Sequence, residues 1–170
     1  MNHRDDLLNG RDGALRRPAE TRPIRKQLPH DVPNWVDPDE AVYFITICCR
    51  QRGLNQLTKS EISQRLLASI EYRHQKADWY MHLALLMPDH AHFIVSFPER
   101  AKNLNTVISK WKEWTAKSLQ IKWQRDFFEH RLRREESFEE KTDYVRANPV
   151  RAGLIVDLEK WPHVFAPETD

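Results

Sequence analysis

Beyond residue 40 the chain alternates short apolar blocks with polar stretches, and the spacing inside each block predicts its type. Val42-Tyr43-Phe44-Ile45-Thr46-Ile47-Cys48-Cys49 is rich in β-branched and aromatic residues and reads as a central strand. Ile62, Leu66 and Ile70 then recur at helical spacing behind Thr58-Lys59-Ser60-Glu61, a capping box, which predicts a helix to about Ala77. Trp79 to Met87 and His90 to Phe97 read as two strands joined through the Pro88-Asp89 turn pair. Leu104, Val107, Ile108, Trp111 and Trp114 or Thr115 mark the apolar stripe of a second helix. Lys110, Lys112 and Lys117 fall off that stripe and read as its wet face. Phe127 to Leu132 is a short fourth strand. Ser137-Phe138-Glu139-Glu140 is another capping box and opens a third helix. That helix is expected to stop near Asn148, because Pro149 disfavours helical geometry in the residue before it. The segment from Ala152 to Ala166, broken by Gly153 and Pro162, is expected to pack over the sheet.

Strand, helix, strand, strand, helix, strand is the order of a ferredoxin-like, split βαβ sandwich of the α+β class. Helices would cover one face of an antiparallel sheet and leave the other for a substrate. Three regions follow: an arm over 1–40, a catalytic domain over 41–150 and a C-terminal tail over 151–170. The arm holds Pro18, Pro23, Pro29, Pro33 and Pro38, with Arg16, Arg17, Arg22, Arg25 and Lys26 among them. Such a segment has too little apolar surface to fold alone. It is either a passive tail or a basic strap that orders on a polyanion.

Composition narrows the classes. In 170 residues, 40% hydrophobic, Lys+Arg 27 against Asp+Glu 25 leaves a formal charge of +2. Any basic surface is therefore local. No apolar run approaches the roughly 20 residues that span a bilayer, so no membrane association is expected. The first residues, MNHRDDLLNGRDGALRRP, lack the apolar centre of a secretory signal. The two cysteines, Cys48 and Cys49, are strand neighbours that point to opposite faces and do not readily bridge, which suits a reducing cytoplasm. With 4 glycines there is neither a P-loop nor a G-x-G-x-x-G turn.

Two segments carry chemistry. In Met87-Pro88-Asp89-His90-Ala91-His92, strand geometry puts His90 and His92 on one face and Ala91 on the other. Two imidazoles side by side form half a site for a divalent ion. Against this, 8 histidines in one chain make a chance His-x-His pair unremarkable. In the third helix, Tyr144 and Asn148 lie four residues apart on one face, with Lys141 one turn earlier. A tyrosine oxygen becomes a nucleophile when a neighbour lowers the cost of ionising it. Alone, Tyr144 reads equally as a packing residue. Lys122, Arg125, Arg131, Arg133 and Arg134 interleave with Trp123, Phe127 and Phe128, which suits phosphate contact with base stacking, or a solvated loop over core aromatics. His130 reads as a polar contact or a structural residue, and His74, His82 and His163 as structural.

The spaced motifs together resemble a known family, the single-tyrosine HUH transposases, and among them the REP-associated tyrosine transposases. The resemblance runs from about Leu28 to Phe165. It rests on Leu28-Pro29-His30, Tyr43-Phe44-Ile45-Thr46, the segment from Met87 to His92, and Trp123-Gln124-Arg125-Asp126-Phe127-Phe128-Glu129-His130-Arg131. It continues through Tyr144-x-x-x-Asn148-Pro149-Val150-Arg151-Ala152-Gly153-Leu154 and Trp161-Pro162. The resemblance implies that His90, His92 and Asn148 are ligands of Mg or Mn and that Tyr144 is the nucleophile. It implies cleavage and rejoining of single-stranded DNA hairpins of repetitive palindromic type through a 5′-phosphotyrosine. Arg25, Lys26, His30, Lys122, Arg125, His130, Arg131, Arg133, Lys141 and Arg151 are the expected DNA contacts, on a monomer or weak dimer associated with the nucleoid. Ala91 is smaller than the family's usual middle residue and faces away from the metal.

Competing readings use parts of the same pattern. A ferredoxin-like sheet also serves RNA-binding modules, but no Lys/Arg-Gly-Phe-like run occurs here. A replication-type nickase shares the chemistry but carries further domains. A metal-dependent hydrolase would leave Tyr144 a bystander.

Overall fold

The computed structural model describes residues 41–98, 104–132 and 138–167. Within these, β1 (Val42–Cys48), β2 (Tyr80–Met87), β3 (His90–Ser96), β4 (Phe128–Arg131) and β5 (Val164–Phe165) form one sheet in the order β4-β1-β3-β2-β5. Each neighbouring pair is antiparallel. β1 and β2 therefore run parallel with β3 between them, connected by α1 (Ser60–Gln75), and α2 (Leu104–Leu119) connects β3 to β4. This is the split βαβ arrangement expected from the pattern.

Side-chain alternation divides the core between the two sheet faces. On one face Ile45, Ile47, Phe93 and Val95 meet Leu66 and Ile70 of α1 and Ile108 and Trp111 of α2. Trp79, Phe93 and Trp111 pack there edge to face, with centroids 5.3 to 6.1 Å apart. Both buried indoles find acceptors: Trp79 Nε1 donates to the Ile70 carbonyl at 3.2 Å and Trp111 Nε1 to Ser69 Oγ at 3.0 Å. On the other face Phe44, Leu83, Leu85, Met87 and Ile94 enclose Val145. Val145 belongs to α3 (Phe138–Arg146), so the second face is narrower than expected, because α3 docks on it.

Several local expectations change. The first capping box does not form: Lys59 is the N-cap without a side-chain bond, and Thr58 turns back to Asn55 Oδ1 through its N–H at 3.1 Å and its hydroxyl at 2.9 Å. Ser137 of the second box lies outside the described residues. Lys112 is not on a wet face. It is buried, donates from Nζ to the Arg125 carbonyl at 2.8 Å and sits 5.4 Å from the Phe127 ring centre. Thr115 takes the stripe position, bonded back to the α2 backbone, while Trp114 is exposed. Past Ala147 the chain forms one more turn, α4 (Asn148–Arg151), which accepts Pro149 near its start, where no helical N–H is needed. The tail adds a strand: β5 pairs with β2 at the sheet edge, and Trp161 Nε1 donates to the Leu86 carbonyl at 3.1 Å. Of the two thiols only Cys49 is fully buried, and burial pushes its pKa up to about 12. No helix among the described residues is long and apolar enough to cross a membrane.

Trp111→Ala should cost about 3–5 kcal/mol of unfolding free energy, whereas Trp114→Ala should stay within about 0.5 kcal/mol of wild type. Urea unfolding of both variants checks the contrast.

Candidate active site

β3 is hydrogen-bonded on both sides, and this fixes the histidine pair. His92 lies opposite Thr46 of β1 and Leu85 of β2, and His90 opposite Cys48 and Met87. The two rings share one face with centroids 4.8 Å apart and planes at 86°. Each Nδ1 is engaged. Thr46 Oγ1 is 2.9 Å from His92 Nδ1, and Asp89 Oδ1 is 2.6 Å from His90 Nδ1. A carboxylate only accepts, so His90 Nδ1 carries the proton and Nε2 keeps its lone pair. Burial lowers the pKa of both rings, that of His92 to about 3, helped by His90 and the positive charge of Arg52. For His90, Asp89 opposes part of that fall. Both imidazoles are thus neutral at pH 7, the form that ligates metal.

In the sequence Asp89 stands out only as part of a turn pair and of the Met87 to His92 motif, Thr46 only within the Tyr43 to Thr46 motif, neither with a role, and Arg52 carries no signal. Asp89 is buried, and its Oδ2 accepts the Gly53 N–H at 2.6 Å and Arg52 Nε at 3.2 Å. Burial alone would raise its pKa, but the Gly53 N–H, His90 and Arg52 together hold it below the ordinary carboxylate value. A signal was present: an acid directly before the first histidine can reach back to its ring. Thr46 was legible only once the β1–β3 register was known.

Tyr144 stands on α3, 46% exposed, between two cations. Lys141 Nζ is 5.7 Å and the Arg151 guanidinium 4.7 Å from its ring centre. Lys141 Nζ also lies 5.3 Å from the Phe44 ring centre, and Phe44 stacks on His92 at 5.5 Å and 21°. The phenol and the imidazoles are therefore joined through Lys141 and Phe44; among the described residues no ring or hydrogen-bond contact links them directly. Asn148 donates its amide to the Tyr144 and Val145 carbonyls, each at 3.1 Å, closing the end of α3. Its amide oxygen is the atom left for ligation. Among the described residues no third His, Cys, Asp or Glu joins the histidine pair in a metal cluster.

The expected DNA contacts divide. Lys141 and Arg151 flank Tyr144. His130 lies opposite Phe44 in β4, on the histidine face. Arg131 lies opposite Tyr43, whose packing is with the α1 and α2 side, so it stands on the other face. Lys122 and Arg125 are exposed on the segment leading into β4. Trp123 and Phe127 join the core, with Trp123 Nε1 donating to Thr115 Oγ1 at 2.9 Å. Phe128 is the exposed aromatic, edge-on to Phe44 at 6.2 Å. Arg25, Lys26, His30, Arg133 and Arg134 lie outside the described residues.

The chain is similar to known proteins in sequence and in fold. No family model matches the chain. It is 26% identical over 125 residues to a REP-associated tyrosine transposase of Escherichia coli, covering 71% of this chain and 73% of that one. A Haemophilus influenzae protein provisionally given the same family name is 25% identical over 141 residues, covering 72% and 77%. The fold matches a solved REP-associated tyrosine transposase bound to a REP hairpin, with TM-score 0.64 and 24% identity, covering 73% of this chain and 75% of that one. The chain is thus similar in sequence and fold to REP-associated tyrosine transposases.

On the expectation that the histidine pair ligates Mn, Asp89→Asn should weaken that binding about 10–100-fold, because the His90 proton loses its charged acceptor; isothermal titration calorimetry reads this directly. The His92 pKa, lowered from 6.5 to about 3, also sets an acid dependence. The unfolded ring takes up a proton that the folded ring resists, so stability is full above about pH 6.5 and falls below it. For the metal-free protein the loss from this residue should be about 2–3 kcal/mol between about pH 7 and about pH 4.5, and His92→Gln should remove it, as followed by urea unfolding at both pH values.

Proposed function

We propose that this protein is a single-stranded DNA transposase that cleaves and rejoins hairpin-forming repetitive palindromic DNA, with Tyr144 as the nucleophile. One observation carries the reading. On a single sheet face, two neutral, oriented imidazoles connect through Phe44 and Lys141 to an exposed phenol held between two cations. The kinship with REP-associated tyrosine transposases, one solved with a REP hairpin, supports the same substrate class.

Tyr144 Oη attacks the scissile phosphorus. A P–O bond to tyrosine forms as the bond to the 3′-oxygen breaks. The phenol gives up its proton, the departing 3′-oxygen gains one, and the 5′-phosphate stays on the enzyme. A 3′-hydroxyl of another strand reverses the exchange. One phosphodiester is traded for another, so joining needs no ATP. Lys141 and Arg151 place positive charge beside the phenol, where the anionic phosphate must approach.

The donor set fits a divalent ion, Mg or Mn. His90 and His92 would hold it through Nε2, with Asn148 offering an amide oxygen. Bound there, the ion supplies compensation for charge on the non-bridging phosphate oxygens. Zn suits imidazole ligands equally, but phosphate-oxygen chemistry favours the harder ions. On the same reading His130 and the exposed Phe128 offer a polar and a stacking contact beside the site, and the Lys122–Arg125 segment a backbone contact.

Tyr144→Phe should bind hairpin DNA with affinity within about 3-fold of wild type. It should form no covalent complex when incubated with Mn and the hairpin and run on a denaturing gel. An adduct persisting in that variant assigns the nucleophile elsewhere.

A further inference from the structure

We infer that Arg52 is a catalytic residue that contacts the scissile phosphate beside the histidine pair, an assignment that rests on the phosphotyrosine reading above. Neither the hydrophobic pattern nor the family motifs singled it out.

The segment carrying Arg52 is clamped onto the turn before His90. Cys49 N–H donates to the Asp89 carbonyl at 2.8 Å, and the Gln56 and Leu57 N–H groups donate to the Pro88 carbonyl at 2.7 and 3.0 Å. Gly53 adopts a φ of 75°, a left-handed conformation suited to glycine, which accompanies its N–H bond to Asp89 Oδ2. Arg52 is therefore not on a loosely held surface loop. Its position is set by the same turn that orients His90.

The guanidinium is anchored on one side only. Nε meets Asp89 Oδ2 at 3.2 Å, and the side chain remains 47% exposed. Nη2 lies 3.4 Å from His90 Nδ1. That nitrogen already donates to Asp89, so it has no lone pair to offer, and the Nη2 hydrogens gain no acceptor there. A guanidinium tied through Nε to a buried carboxylate still has its outer edge for a second anion, and two parallel N–H groups match two oxygens of a phosphate. An anion lodged against the His90 ring would meet that edge. The same segment carries further positive charge: Arg50, two residues before Arg52, and Lys122 are exposed and are joined by the Arg50 N–H to Lys122 carbonyl bond at 2.7 Å. Lys141 and Arg151 thus serve the nucleophile end of the reacting phosphate, and Arg52 the imidazole end.

The test compares wild type, Arg52→Gln, Arg52→Lys and Asp89→Asn for single-turnover adduct formation on hairpin DNA with Mn, for hairpin affinity, and for Mn affinity by calorimetry. Arg52→Gln should slow adduct formation about 100-fold while leaving hairpin and Mn affinities within about 3-fold of wild type. Arg52→Lys should recover only part of the rate, since an ammonium lacks the two-pronged edge. Adduct formation by Arg52→Gln at the wild-type rate overturns the assignment. So does a rate loss accompanied by the same fall in Mn affinity as Asp89→Asn, because Arg52 would then act through Asp89 and His90. A wild-type protein that forms no adduct at all removes the phosphotyrosine reading itself and this inference with it.

Discussion

The site depends on β3 being paired along both edges. A strand hydrogen-bonded to β1 on one side and β2 on the other cannot slip by one residue without moving Phe93 and Val95 out of the core and the imidazoles into it. Burial of the apolar alternate positions therefore specifies the register, and the register places His90 and His92. The free energy that orients the imidazoles comes largely from the opposite face of the sheet, where Trp79, Phe93 and Trp111 pack.

From that fixed pair the remaining site is built outward in layers of decreasing rigidity. Asp89 sets the His90 tautomer from the turn, and Thr46 engages His92 Nδ1 from the adjacent strand. The clamped 49–57 segment holds Arg52 against the turn. α3 contributes Tyr144 from farther away and is held to the sheet chiefly by Val145 and, at its start, by Phe138 against His82. Under the proposed function, a nucleophile on a separately docked helix and a metal-holding pair on the most tightly held strand would divide the work physically.

Much of this was legible in the pattern. Period-two alternation located β1, β2 and β3, and it put both imidazoles on one face. Helical spacing located α1 and α2. Failures occurred where a polar residue had two local options. Thr58 fits a capping box, yet an Asx-type turn at Asn55 captured its hydroxyl. Lys112 falls off the apolar stripe of α2, yet it is buried, with its ammonium over the Phe127 ring and bonded to a carbonyl. Pro149 ends most helices, yet it serves the first turn of the next.

The sequence by itself determined the fold class, the common face of His90 and His92, and the family resemblance, because each follows from residue order and short-range periodicity. Only the tertiary structure decided which groups hold the imidazoles, which of the basic and aromatic residues share their face, and that Arg52 stands beside them. Those relations join residues distant in the chain, such as Thr46 and His92, 46 positions apart, and Gly53 and Asp89, 36 apart. No local pattern encodes such a separation. It is fixed when the strands find their register and the turn is enclosed by the segment that precedes α1.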